Sequence, residues 1–594
     1  MIHLTKPFKN YDIFIGIIFL KFIIFDIIWC SRTTFAAFSF PELYLNAALV
    51  TYLFTLPFSV WRKRRTQIII LFILDLLLIA NLMYSRTYND VIPLKSYILA
   101  GNLEDFVPSV VDSVRWYDII FPLSSLATIW FITKKKEVEE QHSIKRYLLV
   151  TSTLIFLSLT LNWSKGGFSK AYESLQNANY HTCDTPAYTL FGDLWYDALK
   201  GQEIFTPAHR QLIENWLSER PTYQAIPDSI TSPRGLVLIL CESLESWVLE
   251  KEVEGIEMTP HLNQAIRDSR TLYAPHVLTQ VRGGRSIDCQ LLLNAGMLPL
   301  ENGCYSMQFP HHTYFTLTKA LKERHHANSY LMTVDKPIVW NQAIVAEDFG
   351  IENTFYKSTW KLDEKIGSRK RLGDESFMRQ LVEKLKEQEL CKIGEPFFLQ
   401  CVTYSGHNPF ILPEESKKIH LKGNYPTKLK DYLTMANYTD HAIGQLLDYL
   451  KTRPDYTDMM IVIVGDHEGL AADREPILST PIGRKLVSPN QFTPFIVLNA
   501  PIAIRYEGVM GQIDMYPTIL NLMHLDDYIW KGMGQSILDP NKVPFAVDPQ
   551  ERAHTFDQIR IPDSDLQRLQ KAYKVSDLML RFDYNKKYLE SFDK

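Results

Sequence analysis

Met459-Met460-Ile461-Val462-Ile463-Val464-Gly465-Asp466-His467-Glu468-Gly469 is the stretch that decides the fold. An unbroken apolar run leaves no polar face, as expected of a parallel strand covered on both sides. A glycine, an acid and an imidazole follow at once, where such a strand would end. The same grammar occurs twice more. Gly235-Leu236-Val237-Leu238-Ile239-Leu240 runs into Cys241-Glu242-Ser243, and Pro396-Phe397-Phe398-Leu399-Gln400-Cys401-Val402 runs into Thr403-Tyr404-Ser405-Gly406-His407. Amphipathic patterns from Glu375 to Gln388 and from Tyr438 to Lys451 lie between these runs, as crossover helices of a parallel sheet require. Ligands of open α/β sheets gather at the carboxyl ends of strands. Glu242, His407, Asp466 and His467 all fall there. A further apolar strand, Phe495 to Leu498, precedes Gly511-Gln512-Ile513-Asp514-Met515-Tyr516-Pro517-Thr518, where Asp514 is expected to cap a helix.

Between the first and second of these strands lies Val281-Arg282-Gly283-Gly284-Arg285-Ser286-Ile287-Asp288-Cys289-Gln290, which leads into the apolar segment Leu291 to Gly296. Two glycines allow a tight turn and close approach of a ligand. The hydroxyl after them sits at a helix-like start, where unpaired N–H groups favour an anion. That is one way to present a serine to a phosphate or sulfate ester.

Hydropathy divides the chain. Apolar runs over residues 11–30, 42–61, 67–84, 117–133 and 147–163 each approach the roughly 20 residues a bilayer core requires. Arg62-Lys63-Arg64-Arg65 and Lys134-Lys135-Lys136 lie in alternate loops, which places those loops in the cytoplasm and everything after Trp163 outside it. Asp75, in the middle of the third run, is a functional candidate unless it is paired between helices, Lys21 being the partner to expect. Lys21 and Asp26 lie about 140° apart on one helix and do not share a face. The net charge of −4 on 594 residues excludes a nucleic-acid-like balance. Seven cysteines, six of them beyond residue 163, show no metal-binding spacing, and Cys241 and Cys401 are expected as buried thiols. The expected layout is a five-span membrane domain over 1–163, a helical linker near the membrane surface over 164–232, a catalytic domain over 233–545 and a C-terminal extension over 546–594.

Glu242, Asp466 and His467 supply two carboxylates and one imidazole, a set suited to one divalent cation, Mn²⁺, Mg²⁺ or Zn²⁺. Ser286 is expected to complete it as both ligand and nucleophile, since a cation lowers the pKa of a hydroxyl. His407 is expected to donate to a phosphoryl oxygen or to protonate the leaving group.

The exported half resembles the alkaline phosphatase and sulfatase superfamily, and the whole chain resembles the lipoteichoic acid synthases and related phosphoglycerol transferases. Cys241-Glu242-Ser243 and Gly465-Asp466-His467 match the metal ligands. Ser286 stands where the synthases carry a threonine nucleophile, Arg285 where they carry lysine, and Asp288 keeps the acid that follows. Ser405-Gly406-His407-Asn408-Pro409-Phe410 matches the substrate-site histidine, and Trp340-Asn341 a tryptophan–asparagine pair that the synthases follow with arginine. Here Gln342 follows. Asn81-Leu82-Met83-Tyr84-Ser85-Arg86 and Asp90 echo the family in the third span. The resemblance implies an α-helical membrane bundle followed by a sulfatase-like α/β domain with a mainly parallel sheet. It also implies a multi-pass protein of the cell membrane, with Arg285, Trp340, Asn341 and His407 at the substrate and Mn²⁺ ahead of Mg²⁺ or Zn²⁺. A membrane phospholipid would be the donor and a glycan or lipid the acceptor. Phosphoethanolamine transfer, sulfatase or phosphodiesterase hydrolysis and a catalytically inert sensor or scaffold are the competing readings.

Overall fold

The computed structural model describes residues 10–33, 41–60, 64–88, 92, 113–134, 144–164 and 204–591, apart from 222, 225–231, 302, 338, 368–369 and 557–558. Asp90 and most of the expected linker lie outside the described residues. The chain forms two compact units, one containing the helices up to residue 164 and the other Ile204–Lys594.

In the first unit the apolar runs form helices α1 (Asn10–Thr33), α2 (Pro41–Val60), α3 (Arg64–Tyr88), α4 (Ile120–Lys134) and α5 (Ile144–Ser164). Among the described residues one helix, over Arg65–Tyr84, is long and apolar enough to cross a membrane by length and composition; Ala47–Leu56 and Tyr147–Leu161 are shorter apolar helices. Polar groups tie these helices together. Lys21 Nζ donates to Asp75 Oδ1 at 2.5 Å, to the Phe121 carbonyl at 2.7 Å and to Ser124 Oγ at 2.6 Å, and Ser125 Oγ donates to Asp75 Oδ2. Asp75 is therefore the buried partner of Lys21, and the pair joins α1, α3 and α4. Asp26 instead accepts from Tyr44 of α2. Arg86 forms a two-pronged ion pair with Asp118.

The second unit is built on an eight-stranded sheet. Its strands are β1 (Gly235–Cys241), β2 (Leu272–Leu278), β3 (Asn328–Thr333), β4 (Asn353–Phe355), β5 (Phe397–Val402), β6 (Met459–Gly465), β7 (Phe492–Leu498) and β8 (Met510–Gly511). Their spatial order is β8-β2-β7-β6-β1-β5-β3-β4, and β7 alone runs against the others. The continuous apolar runs have the expected cause: Leu236, Leu238, Leu240, Met460, Val462 and Val464 enter one core cluster, while Val237, Ile239, Cys241, Ile461 and Ile463 enter another on the opposite face.

Helices cover both faces. The first cluster is closed by α6 (Pro207–Ser218), α7 (Ser286–Ala295), α10 (Met515–Leu522) and α11 (Asp563–Arg581), and the second by α8 (Asp374–Lys386) and α9 (Thr427–Thr452). Residues 204–221 thus pack into this core through Ile213 and Trp216, and residues beyond 546 do so through Val547, Tyr573 and Leu580. Asp514 precedes α10 without capping its N–H groups: its carboxylate accepts from Gly511 N and Gln535 N and pairs with Lys542 at 2.8 Å. Cys241, Cys289, Cys304, Cys391 and Cys401 are buried free thiols.

Candidate active site

The register of the central strands sets the site. Cys241 pairs with Gly465 and Leu240 with both Val464 and Val402, so β1, β5 and β6 end level and deliver Glu242, the His407 loop and Asp466-His467 to one edge. Gly406 is needed there, because a Cβ would lie 2.0 Å from the Glu242 carbonyl oxygen.

Ser286 arrives from another direction, as the first residue of α7. The turn before it is shaped by Asp288, which is wholly buried and whose Oδ2 accepts from Arg282 N and Gly284 N, each at 3.0 Å. Any Cβ on Gly284 would lie 2.2 Å from Asp288 Oδ1. Burial pushes the Asp288 carboxyl up to about 7. Arg285 takes a φ of 50°, turning the chain sharply into the helix. The loop is braced from far along the chain: Arg282 donates to the Pro549 carbonyl at 2.6 Å and lies over the Tyr573 ring, and Gln280 donates to the Val547 carbonyl.

Glu242, Asp466 and His467 meet with their donor atoms within 4.8 Å of one another. Ser286 Oγ lies 3.2 Å from Glu242 Oε2 and 3.4 Å from His467 Nε2. Asp466 Oδ1 accepts from Ser243 N and His467 N, whereas its buried Oδ2 has no hydrogen-bond partner among the described residues. Burial holds the Asp466 carboxyl well above its ordinary range, with the charge of Glu242 adding to the effect, and burial raises Glu242 to about 7. Burial, and then Arg285, push His467 well below the usual histidine range, so its ring is neutral. Nδ1 lies 3.0 Å from the Glu468 carbonyl and 2.8 Å from the Arg285 guanidinium, and Nε2 faces Glu242 and Asp466, each 3.5 Å away. A bare acid oxygen, a second carboxylate and an imidazole nitrogen, all buried, form a donor set that fits a divalent cation.

Of the remaining expected residues, His407 and Arg285 lie beside His467. His407 lies close enough for its charge to bear on His467, stacks on Tyr404 and donates from Nδ1 to the Asn408 carbonyl at 2.7 Å. Arg285 points its guanidinium at Glu468, bonding its carboxylate and its carbonyl, and meets His467 Nδ1 at 2.8 Å. Trp340 and Asn341 form a turn with φ of 54° and 52°, in which Asn341 Nδ2 donates to the Ser306 carbonyl. Gln342 faces inward. Its amide exchanges two hydrogen bonds with that of Gln290 on α7, at 2.9 and 3.0 Å. Gln290 Oε1 also accepts from Gln400, whose own Oε1 accepts from Asn294. This buried amide lattice fastens the serine helix to β5 and to the Trp340 turn.

Sequence patterns missed the supports. Glu245 is fully buried; it accepts from Gly469 N and Leu470 N and pairs with Arg474, fixing the loop after His467. Asp374 at the start of α8 accepts from Tyr404 N and Ser405 N and so holds the His407 loop. Gln512 donates to the Asp466 carbonyl at 2.7 Å. A second acid three residues after Glu242 was the one available hint.

Residues 234–525 match the sulfatase family and residues 2–181 match the lipoteichoic acid synthase N-terminal domain. This chain is a lipoteichoic acid synthase-like protein of the alkaline phosphatase superfamily. The synthase-like chain is 23% identical over 506 residues to the lipoteichoic acid synthase-like YvgJ of Bacillus subtilis, covering 82% of this chain and 80% of that protein. It is 24% identical over 495 residues to the lipoteichoic acid synthase of Staphylococcus saprophyticus, covering 80% and 75% respectively. Its fold is also that of the crystal structure of the lipoteichoic acid synthase LtaP from Listeria monocytogenes, with a TM-score of 0.51 and 16% identity over 63% of this chain and 97% of that one.

Proposed function

We propose that this phosphotransferase moves a phosphoglycerol-type head group from a membrane phospholipid to an extracytoplasmic glycan or lipid acceptor, through a covalent phospho-Ser286 intermediate. The observation that carries the reading is Ser286 Oγ held 3.2 Å from Glu242 and 3.4 Å from His467, beside an Asp466 oxygen that has no hydrogen-bond partner among the described residues. When bound, a divalent cation held by Glu242, Asp466 and His467, with Mn²⁺ ahead of Mg²⁺ or Zn²⁺, would lower the pKa of the serine hydroxyl and offset charge on the phosphoryl group.

The chain's own residues do the rest. Ser286 Oγ, its proton given up to bulk water, bonds to phosphorus as the bond to the diacylglycerol oxygen breaks. His407 protonates that departing oxygen. In the second half the acceptor hydroxyl gives its proton to His407 and attacks phosphorus, and Ser286 Oγ leaves. Arg285, Trp340 and Asn341 border the substrate in this reading, Arg285 by exchanging its Glu468 contact for the phosphoryl group. Five membrane spans with the catalytic unit outside the cytoplasm follow from the Lys/Arg loop asymmetry and keep the site near its lipid donor. Labelling of single cysteines placed near Lys63 and near Lys422 on intact cells checks that topology, with protection at the second site counting against it.

The test is intact-mass analysis of the full-length protein with Mn²⁺ and either phosphatidylglycerol or phosphatidylethanolamine, alongside diacylglycerol release. A glycerophosphate adduct on Ser286, lost in Ser286→Ala together with turnover, is the expected result. A phosphoethanolamine adduct transfers the reading to that donor, and equal rates from parent and alanine variant remove Ser286 from the mechanism.

A further inference from the structure

Beside the His407 loop lies a cation that this mechanism does not use. Arg371 is 7% exposed, and its Nη1 lies 2.6 Å from Asp335 Oδ1. Asp335 lies two residues beyond the carboxyl end of β3, at the same edge as the ends of β1, β5 and β6, and its charge reaches Glu242. The Arg371 guanidinium also lies over the Tyr404 ring, 5.4 Å from its centroid. Tyr404 in turn stacks on His407, with centroids 5.6 Å apart and planes 21° apart. Guanidinium, phenol and imidazole thus form one layered stack. The backbone just beyond Arg371 is fastened to the same loop, since Asp374 grips Tyr404 N and Ser405 N and Ser405 Oγ accepts from Asp374 N.

A buried arginine held by a partly exposed carboxylate at a substrate-facing edge is well placed to read an anion. Its fork offers five N–H donors, so it can keep Asp335 and still donate to a second oxyanion. Gln342 is directed elsewhere, its amide oxygen and an amide N–H both being engaged with Gln290. From this stack we infer that Arg371 is a substrate-binding residue, donating to a non-bridging phosphoryl oxygen of the donor while Asp335 fixes its orientation. The inference rests on the phosphotransfer reading and names the side chain that recognises the phosphodiester.

The experiment uses the full-length protein in detergent with Mn²⁺. Inorganic phosphate is titrated by calorimetry, and diacylglycerol release from phosphatidylglycerol is followed in parallel. Arg371→Met should weaken phosphate binding and raise the donor KM by ~10-fold or more, the scale of losing a charge-assisted pair. Arg371→Lys keeps the charge without the fork and should fall between. Asp335→Asn/Arg371→Met separates binding from mere charge neutralisation, because the double variant leaves no unpaired carboxylate. A double variant that still shows the raised KM, with parent-like Mn²⁺ affinity, supports the inference. Return of the double variant to the parental KM overturns it, as does phosphate binding that is absent in the parent or unmoved in Arg371→Met. A parent that binds phosphate through Arg371 but releases no diacylglycerol refutes the donor reading and leaves Arg371 as an anion-binding residue.

Discussion

Replacing Gln290 by leucine tests whether the amide lattice beneath α7 is a frame whose parts depend on one another. In the parent, Gln342 Nε2 and Gln400 Nε2 both donate to Gln290 Oε1, and Gln342 Oε1 accepts from Gln290 Nε2. Gln290, Gln342 and Gln400 are 2%, 7% and 0% exposed, so water does not replace lost partners. Gln290→Leu therefore leaves three polar atoms buried and unsatisfied. At about 1 kcal/mol each, the low end for such groups, the cost is ~3 kcal/mol or more, a large part of the margin of a typical fold. Adding Gln342→Leu removes two of the three orphans. The double variant should recover about 2 kcal/mol relative to the single, a sign of coupling that independent contacts never give. Urea unfolding of the full-length protein in detergent, followed by tryptophan fluorescence, measures both. A double variant no more stable than Gln290→Leu would refute the reasoning and reduce the lattice to separate contacts.

Two further outcomes are expected. Asp374 is fully buried, and burial raises its carboxyl to about 6, with Glu364 adding to the shift. A group whose folded pKa lies above its unfolded value near 3.8 stabilises fully below that value and loses the contribution as pH rises through about 6. Asp374→Asn should therefore gain stability relative to the parent between pH 4.5 and pH 7, by as much as about 2 to 3 kcal/mol; a gap between the two denaturation midpoints that stays constant with pH counts against this. Lys21→Met should destabilise the first unit by ~3 kcal/mol or more by leaving Asp75 buried without its cation, while Lys21→Met/Asp75→Leu recovers most of it. Heat resistance in detergent reads this, and a double variant worse than the single would return Asp75 to the functional candidates.

The sheet was legible because its central strands are apolar on both faces, a pattern that an amphipathic helix does not produce. The ends of those strands made Glu242, Asp466, His467 and His407 legible too, since position at a strand end is a local property. Local patterns were less informative about Gln342, which reads as a departure at the substrate edge but turns inward, because its partner Gln290 lies 52 residues away on another element. Glu245, Asp374 and Arg371 were missed for the same reason: each acts on a loop distant in sequence, through backbone N–H groups or stacked rings that leave no spacing signature. Asp514 illustrates the opposite error. It looks like a helix cap, yet its carboxylate is drawn to Gly511, Gln535 and Lys542.

The brace on the serine loop bears on the order in which the molecule is made. Arg282 and Gln280 reach their carbonyl partners on Pro549 and Val547 across 267 residues of chain. At translation rates of about 5 to 20 residues per second, those partners emerge roughly a quarter of a minute to a minute after the loop they hold. Once His467 has been made the growing polypeptide carries the acids, the imidazole and the serine hydroxyl, but until Val547 and Pro549 follow the loop bearing the hydroxyl lacks its clasp. A product truncated before residue 547 would therefore retain every motif residue and still present Ser286 on an unbraced turn.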